Sequence, residues 1–121
     1  MPRRSRPLAP LLVLAFTILA AACQPNHPDN RAQQATPVTG VREVVARNLA
    51  FTPPAIQVPA GTTVTWRFDD GSVPHNVQGD GYSSKTASRG TFTHRFDRPG
   101  SYEYRCTLHA GMTGRVVVVP R

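Results

Sequence analysis

The chain has 121 residues, with 14 Lys and Arg against 7 Asp and Glu, 12 prolines, 9 glycines and 2 cysteines. This length suffices for one domain, and the net charge of +7 would ordinarily indicate nucleic acid or a membrane surface as a partner. Two cysteines exclude a disulfide-rich scaffold and an iron–sulfur ferredoxin, and the lack of a C-x-x-C-H run excludes covalently attached c-type haem.

The first 22 residues have the pattern of an export signal. Arg3, Arg4 and Arg6 precede an apolar run from Leu11 to Ala22. This run is shorter than the roughly 20 residues that a transmembrane helix needs, and a basic start, a short apolar core and a small-residue exit are typical of a signal peptide. The alternative is a short buried helix, which three preceding arginines and a following Pro-rich polar stretch disfavour. We predict a signal peptide over residues 1–22.

Small residues directly before a cysteine end this signal. Ala20 to Ala22 precede Cys23, and this arrangement resembles the lipobox of bacterial lipoproteins, in which the cysteine becomes the first mature residue and carries the lipid. One position departs from that pattern, because the usual Leu three places before the cysteine is Ala20 here. Lipidation at Cys23 would anchor an exported protein to a membrane, in the periplasm or at the cell surface. Ordinary signal cleavage within the same alanines is the alternative.

Residues 23–40 have the composition of a flexible tether. The segment from Gln24 to Gly40 holds three prolines, no aromatic residue and one large aliphatic residue, Val38. It contains too little apolar surface to offset the entropy lost on ordering. We therefore predict a spacer between the anchor and a folded domain at residues 41–121.

The sequence of residues 41–121 predicts an all-β domain. Its segments are short, β-branched and aromatic, alternate between apolar and polar positions, and are separated by Pro- and Gly-containing turns. Several short strands without helices predict a β-sandwich or barrel. The predicted strands are Val41–Ala46, Ala55–Val58, Thr62–Phe68, Thr91–Phe96, Ser101–Cys106 and Arg115–Val119.

Features of catalysis and of nucleic-acid binding are weak in this domain. No nucleophile elbow of the G-x-S-x-G type and no Gly-rich phosphate loop is present, and the basic residues are scattered without an aromatic stacking motif. We therefore expect neither an enzyme nor a nucleic-acid-binding protein. Four aspartates fall in or beside predicted turns, where turn formation and solubility explain them; these are Asp69, Asp70, Asp80 and Asp97.

One group of residues points to a metal. Cys106, His109 and Met112 have the spacing C-x2-H-x2-M on a short loop between two predicted strands, and His75 follows Pro74 upstream. Two imidazoles, one thiolate and one thioether suit a copper ion that cycles between Cu(I) and Cu(II). A short loop brings three ligands to one metal, and a folded sandwich would add His75.

Each of these residues could instead have a purely structural role. A lone Cys is usually a small buried residue, and a disulfide between Cys23 and Cys106 is an option in an exported protein. That disulfide would leave His75, His109 and Met112 unexplained. Structural zinc sites seldom include Met, so zinc ranks below copper.

The residues around this group resemble the cupredoxins, the small blue copper proteins, and most of all their plastocyanin, amicyanin and pseudoazurin branch. The resemblance runs from Phe51 to Val119 and rests on framework and ligand residues in matching order and spacing. The short C-x2-H-x2-M loop is like that of amicyanin and pseudoazurin. The resemblance implies a Greek-key β-sandwich or barrel. The matching segments include Phe51-Thr52-Pro53, Ile56–Trp66, Pro74–Val77, Pro99-Gly100 and Tyr102-x-Tyr104-x-Cys106.

The resemblance also implies roles for individual residues. Cys106, His75 and His109 would be equatorial copper ligands, and Met112 the weak axial ligand. Asn76 and Thr107 match the positions that brace the ligand loops and tune the metal. Electrons would leave through His109 and the apolar patch around it, which would comprise Leu108, Ala110, Gly111 and Pro74.

Three features bear on this match. The family often has Pro on either side of the loop histidine, where this chain has Leu108 and Ala110. The domain is short at its N-terminal edge, so the first strand would be either truncated or partly supplied by Val38–Ala46. His94 lies in phase with Phe92 and Phe96, and we do not assign it as a ligand.

The sequence therefore predicts a monomeric, exported type 1 copper protein that carries single electrons between redox partners. A periplasmic copper carrier and an electron-entry subunit of a copper oxidase or reductase are the alternatives. The charge divides into +3 on the signal, 0 on the tether and +4 on the domain, which has ten basic and six acidic residues. This distribution weakens the indication of nucleic acid and favours an acidic docking surface on the partner.

Overall fold

The computed structural model describes residues 31–121. The predicted signal peptide at 1–22, Cys23 and residues 24–30 of the predicted tether lie outside this range. The described elements are α1 (Arg31–Gln34), β1 (Val38–Thr39), β2 (Glu43–Arg47), β3 (Ala50–Thr52), β4 (Ala55–Pro59), β5 (Thr62–Asp69), β6 (Gln78–Gly79), β7 (Tyr82–Ser83), β8 (Arg89–Phe96), β9 (Gly100–Arg105) and β10 (Thr113–Val119).

The strands form two sheets, which confirms the all-β prediction. One sheet has the order β1-β4-β10-β9-β6-β7 and the other the order β3-β2-β5-β8. In β5 the apolar residues Val64, Trp66 and Phe68 are buried and alternate with more exposed polar ones. This alternation is the period of a strand with one face on the core.

Trp66 lies at the centre of the core between the sheets. It is fully buried, and its ring centroid lies 5.2 Å from that of Tyr104 and 5.7 Å from that of Phe92. Tyr82 and Phe96 pack on the same indole at 6.0 and 6.3 Å. Large aromatic side chains thus fill much of a small core.

All six predicted strands are present, with bounds shifted by at most two residues. Four further strands, β1, β3, β6 and β7, have only two or three residues each. Segments of this length show no measurable alternation of apolar and polar residues, so their pairing depends on the strands next to them. Cys106, which the sequence placed at the end of a strand, follows β9 directly.

Residues 31–39, the described part of the predicted tether, pack on the domain. Ala32 of α1 is buried, and Gln33 donates to the Glu103 carboxylate at 2.8 Å. Arg115 donates to the Ala35 carbonyl at 2.9 Å, and β1 pairs in parallel with β4. These tertiary contacts stabilise a segment whose own composition does not. Within residues 31–121, no helix is both long and apolar enough to cross a membrane.

The chain changes sheets between β1 and β2. Val38 pairs with Ile56 in the first sheet, whereas Glu43 pairs with Thr65 in the second. Gly40, between the two strands, has a φ of +78°, a conformation that glycine adopts without a steric penalty. The segment that was expected to complete the first strand therefore forms two strands on opposite sides of the sandwich.

Candidate metal centre

His75 is held in place through both its backbone and its side chain. Its amide and carbonyl form a bridge with Ala87, with bonds of 3.0 and 2.9 Å. The residue is completely buried, and its Nε2 lies 2.7 Å from Oδ2 of Asp70. Because an ionised carboxylate only accepts hydrogen bonds, Nε2 carries the proton. The other ring nitrogen, Nδ1, is buried and has no hydrogen-bond partner.

The C-x2-H-x2-M segment forms a closed loop between β9 and β10. The Cys106 amide donates to the Met112 carbonyl at 2.9 Å, and the Met112 amide donates to the His109 carbonyl at 3.3 Å. Cys106 is a free thiol and is 4% exposed. These bonds close the loop on itself, so its side chains have defined directions.

His109 meets the His75 segment across the top of the sandwich. Its Nε2 lies 2.9 Å from the Pro74 carbonyl, and since a carbonyl only accepts, Nε2 donates. The two imidazole rings are T-shaped, with centroids 4.9 Å apart. As in His75, the proton on Nε2 leaves Nδ1 free as a ligand atom.

Three of the predicted ligands come together. Ligand atoms of His75, Cys106 and His109 all lie within 4.8 Å of one another. A buried nitrogen without a partner is rare in folded proteins, and a metal ion would satisfy Nδ1 of His75. Two imidazoles and one thiol form the donor set that suits copper, so the residues present fit a single copper ion.

Met112, the predicted fourth ligand, is buried in the same region. It is 1% exposed and lines a cavity of about 520 Å³ together with Cys106 and His109. Its place in the loop is compatible with a weak axial thioether. The axial role of Met112 stays a prediction.

Asn76 and Thr107 join the two ligand-bearing segments, and their role in tuning the metal stays a prediction. The Asn76 side chain donates to the Thr107 hydroxyl and accepts from the Thr107 amide. Each residue directly follows a ligand, His75 or Cys106. The pair therefore holds the two strand connections together independently of a metal.

The predicted docking patch surrounds His109. Leu108 is 47% exposed, Pro74 and Ala110 are exposed, and Gly111 and His109 are half-buried. Val73, which the sequence analysis did not include, is also an exposed apolar residue next to Pro74. The use of this surface in docking stays a prediction.

Asp70 is the residue at the site that sequence reasoning missed. Its position predicts a role in turn formation, and its carbonyl does accept from the Val73 amide at 2.9 Å. Its carboxylate, however, also contacts His75. The hydrogen bond from His75 is the main cause that lowers the pKa of the Asp70 carboxyl; burial opposes this shift, and the Asn48 amide adds to it. No sequence pattern distinguishes Asp70 from the other turn aspartates.

His94, which we did not assign as a ligand, packs on an aromatic residue of the core. Its ring stacks on Tyr82, with centroids 4.2 Å apart and an interplanar angle of 14°. Burial lowers the pKa of His94, and the nearby Asp97 partly opposes that shift. Its face of β8 also presents Phe92 and Phe96 to the interior, which confirms the predicted phase.

Comparisons with known proteins agree with this geometry. A family model for copper binding proteins of the plastocyanin/azurin family matches residues 38–119. The chain is 36% identical over 87 residues to amicyanin-alpha from Methylorubrum extorquens, across 65% of this chain and 72% of that protein. It is 34% identical over 123 aligned positions to halocyanin from Natronomonas pharaonis, across 78% of this chain and 76% of that protein. A solved structure of a purple cupredoxin from Nitrosopumilus maritimus superposes with a TM-score of 0.60 and 31% identity, over 65% of this chain and 100% of that one.

The chain therefore belongs to the plastocyanin/azurin family of copper-binding proteins. It is a cupredoxin, an electron-transfer copper protein, and His75, Cys106 and His109 are positioned as its copper ligands. The Greek-key sandwich that the resemblance implied is the fold of its structural neighbours.

Proposed function

We propose that this cupredoxin carries single electrons between exported or membrane-bound redox-partner proteins through a type 1 copper site. The observation that supports this most directly is the buried, unpartnered Nδ1 of His75, close to Cys106 and His109. Bound copper would supply a one-electron couple between Cu(I) and Cu(II). The chain would hold the ligands in one arrangement for both states, since Cys106 and His109 are fixed by the loop and His75 by Asp70.

Burial favours a carrier over an enzyme. His75, Cys106 and Met112 are each at most 4% exposed, so a small substrate has little access to the metal. His109 is the ligand nearest the surface. An electron can pass between the metal and a partner through His109 without direct contact between the two. Substrate chemistry at the metal, in contrast, requires an open coordination position.

Copper loading tests this function. Purified protein titrated with Cu(II) should develop an intense thiolate-to-copper absorption in the visible range and a narrow copper hyperfine splitting in the EPR spectrum. Cys106→Ser should abolish this absorption, and the matched control Cys23→Ser should keep it. A colourless wild-type complex, or a blue Cys106→Ser variant, would refute the type 1 assignment.

The docking patch defined above is proposed as the route by which electrons leave. Electron self-exchange between two copies of the protein probes this surface without a known partner. Leu108→Asp should slow self-exchange because it adds charge and water beside His109, while the reduction potential changes little. Val41→Asp is the control, because Val41 is also an exposed apolar residue and lies just before β2, outside the docking patch. Equal rates in both variants would show that electrons leave elsewhere.

We further propose that the partner presents an acidic surface. The domain carries ten basic and six acidic side chains, so complementary charge would accelerate encounter. The rate of electron transfer with an acidic partner should then fall as ionic strength rises. A rate that rises with salt would contradict the proposed charge of the partner.

Export and lipidation at Cys23 complete the proposal and place the protein at a membrane in the periplasm or at the cell surface. Eight peptide steps separate Cys23 from Arg31, where α1 begins. At roughly 3.6 Å per residue, an anchored Cys23 would keep the domain within about 30 Å of the bilayer. Mass spectrometry of membrane-extracted protein should find a lipidated Cys23 as the first residue. An unmodified mature N-terminus, or membrane recovery unchanged by Cys23→Ser, would refute the anchor.

A further inference from the structure

The Asp70 carboxylate connects a ligand histidine to a distant hairpin turn. Its Oδ2 accepts from Nε2 of His75 at 2.7 Å and from the backbone amide of Asn48 at 2.9 Å. The Asp70 side chain is only 14% exposed. Charge-assisted hydrogen bonds of this length are strong and directional. Two donors therefore hold one oxygen of the carboxylate, which does not turn freely in solvent.

The turn that provides the Asn48 amide has a defined conformation. Asn48 and Leu49 join β2 to β3 and have φ values of 53° and 56°, while Arg47 and Ala50 pair directly on either side. Positive φ at both positions is the conformation of a type I′ hairpin, which Asn tolerates well. The amide of the first turn residue points away from the ladder in this geometry. It is thus available to Asp70.

The two ligand histidines differ in the charge of the group that accepts the hydrogen bond from Nε2. His109 donates to the neutral carbonyl of Pro74, whereas His75 donates to a carboxylate. A carboxylate behind a ligand imidazole selects the tautomer and raises the basicity of the ligating nitrogen. A negative charge near the metal also favours the oxidation state of higher charge. Arg47 lies close enough to interact with Asp70 and to offset part of that charge.

We propose that Asp70 is a positioning residue for the copper site, where it keeps Nδ1 of His75 directed toward the metal and stabilises Cu(II) relative to Cu(I), while Asn48 holds Asp70 in place. The effect on copper rests on the function proposed above. The effect on the His75 tautomer does not, because Asp70 and His75 are in contact without a metal.

Two substitutions separate charge from geometry. Asp70→Asn keeps an oxygen that accepts from Nε2 and removes the charge, so it should raise the reduction potential and leave the tautomer unchanged. Asp70→Ala removes the acceptor as well, so it should also raise the potential and lower the fraction of His75 protonated at Nε2. Copper(II) affinity should fall about 10- to 100-fold, as is usual when a group behind a ligand is lost. A tenfold loss confined to Cu(II) corresponds to a rise of about 59 mV for a one-electron couple.

Asp69→Asn is the matched control. Asp69 precedes Asp70 and carries the same charge, but its carboxylate pairs with Arg67 at 2.8 Å. This variant should leave the potential and the copper affinity close to wild type. Equal shifts in Asp69→Asn and Asp70→Asn would show an effect of net charge alone and would overturn the proposal.

Nitrogen-15 NMR of the copper-free, full-length protein tests the tautomer without any electron transfer. At a pH where His75 is neutral, couplings to the ring protons should show the proton on Nε2, and the Asn48 amide proton should shift in Asp70→Ala. A wild-type His75 protonated at Nδ1 would overturn the proposal, even if every Asp70 variant failed to fold. Failure of wild-type protein to form a blue copper complex would refute the proposed function and leave the tautomer result intact.

Discussion

Asn76 and Thr107 form a pair of hydrogen bonds across the top of the sandwich, one donated in each direction. Nδ2 of Asn76 donates to Oγ1 of Thr107 at 2.7 Å, and the Thr107 amide donates to Oδ1 of Asn76 at 2.8 Å. The two residues are 31 positions apart in the chain, and each directly follows a predicted copper ligand. The spacing between His75 and Cys106 therefore depends on this amide.

Removal of the Thr107 hydroxyl should weaken this link. Thr107→Val keeps the shape of the side chain and the backbone bond but loses the side-chain bond, so the free energy of unfolding should fall by about 0.5–1.5 kcal/mol. Asn76→Ala removes both bonds and should cost about twice as much. Urea denaturation of the copper-free protein measures both variants, with Thr107→Ser as the control that keeps the hydroxyl. A Thr107→Val protein as stable as wild type would contradict the role of this bond.

Replacement of Met112 should change the reduction potential more than the colour. Met112→Leu is close in volume and should cost less than about 1.5 kcal/mol of stability in the core. A leucine gives no sulfur to the metal and makes its surroundings more apolar, which disfavours the more highly charged Cu(II); we expect a higher potential with the blue absorption retained. Cyclic voltammetry and absorption spectra measure the two effects. A potential equal to that of the wild type would remove Met112 from the ligand set.

His94 should make the stability of the protein dependent on pH in the mildly acidic range. Because burial lowers the pKa of His94 in the folded state, the unfolded chain binds a proton at higher pH than the folded one. The contribution is therefore fully present above the unfolded pKa near 6.5 and is lost as the pH falls from there toward the folded pKa. His94→Phe keeps an aromatic ring against Tyr82 and should show a smaller loss of stability over that interval.

Chemical denaturation across this pH interval gives the comparison between the two proteins. Asp97→Asn provides a second check, because Asp97 raises the pKa of His94. Its removal should widen the interval in which stability changes. Parallel pH profiles for wild type and His94→Phe would contradict the assignment of this dependence to His94.

Gly114 leaves room for the Tyr104 ring on the neighbouring strand. A Cβ at this position would overlap the ring and hydroxyl of Tyr104, which is buried against Trp66. Gly114→Ala should therefore lower the free energy of unfolding by about 1–3 kcal/mol through overpacking. Thermal unfolding measures this loss. In a double-mutant cycle with Tyr104→Leu, the loss at Gly114 should shrink, and strict additivity would contradict the clash.

Local pattern was enough to predict much of this protein. The alternation of Val64, Trp66 and Phe68 predicted β5 to within one residue, because burial of one face produces that period directly. The loop from Cys106 to Met112 was also predicted as a metal-binding loop from sequence, since three candidate ligands lie within seven residues of one another. His75 was linked to that loop by the donor set that copper requires and by resemblance to a family, and the fold brings it there.

Contacts between distant segments were decided by the tertiary structure. Four aspartates in turns look alike in sequence, yet Asp70 alone lies against His75, because only the path of the chain after β5 brings them together. Residues 31–39 read as a spacer but lie on the domain through contacts with Glu103, Arg115 and β4. The sequence by itself determined the six longer strands and the kind of metal ligand, since both follow from side-chain chemistry and short spacing. The partner of each ligand and the position of the N-terminal segment came only from the fold, because tertiary hydrogen bonds have no local period, whether they join residues 5 positions apart, as for Asp70 and His75, or 35 positions apart, as for Pro74 and His109.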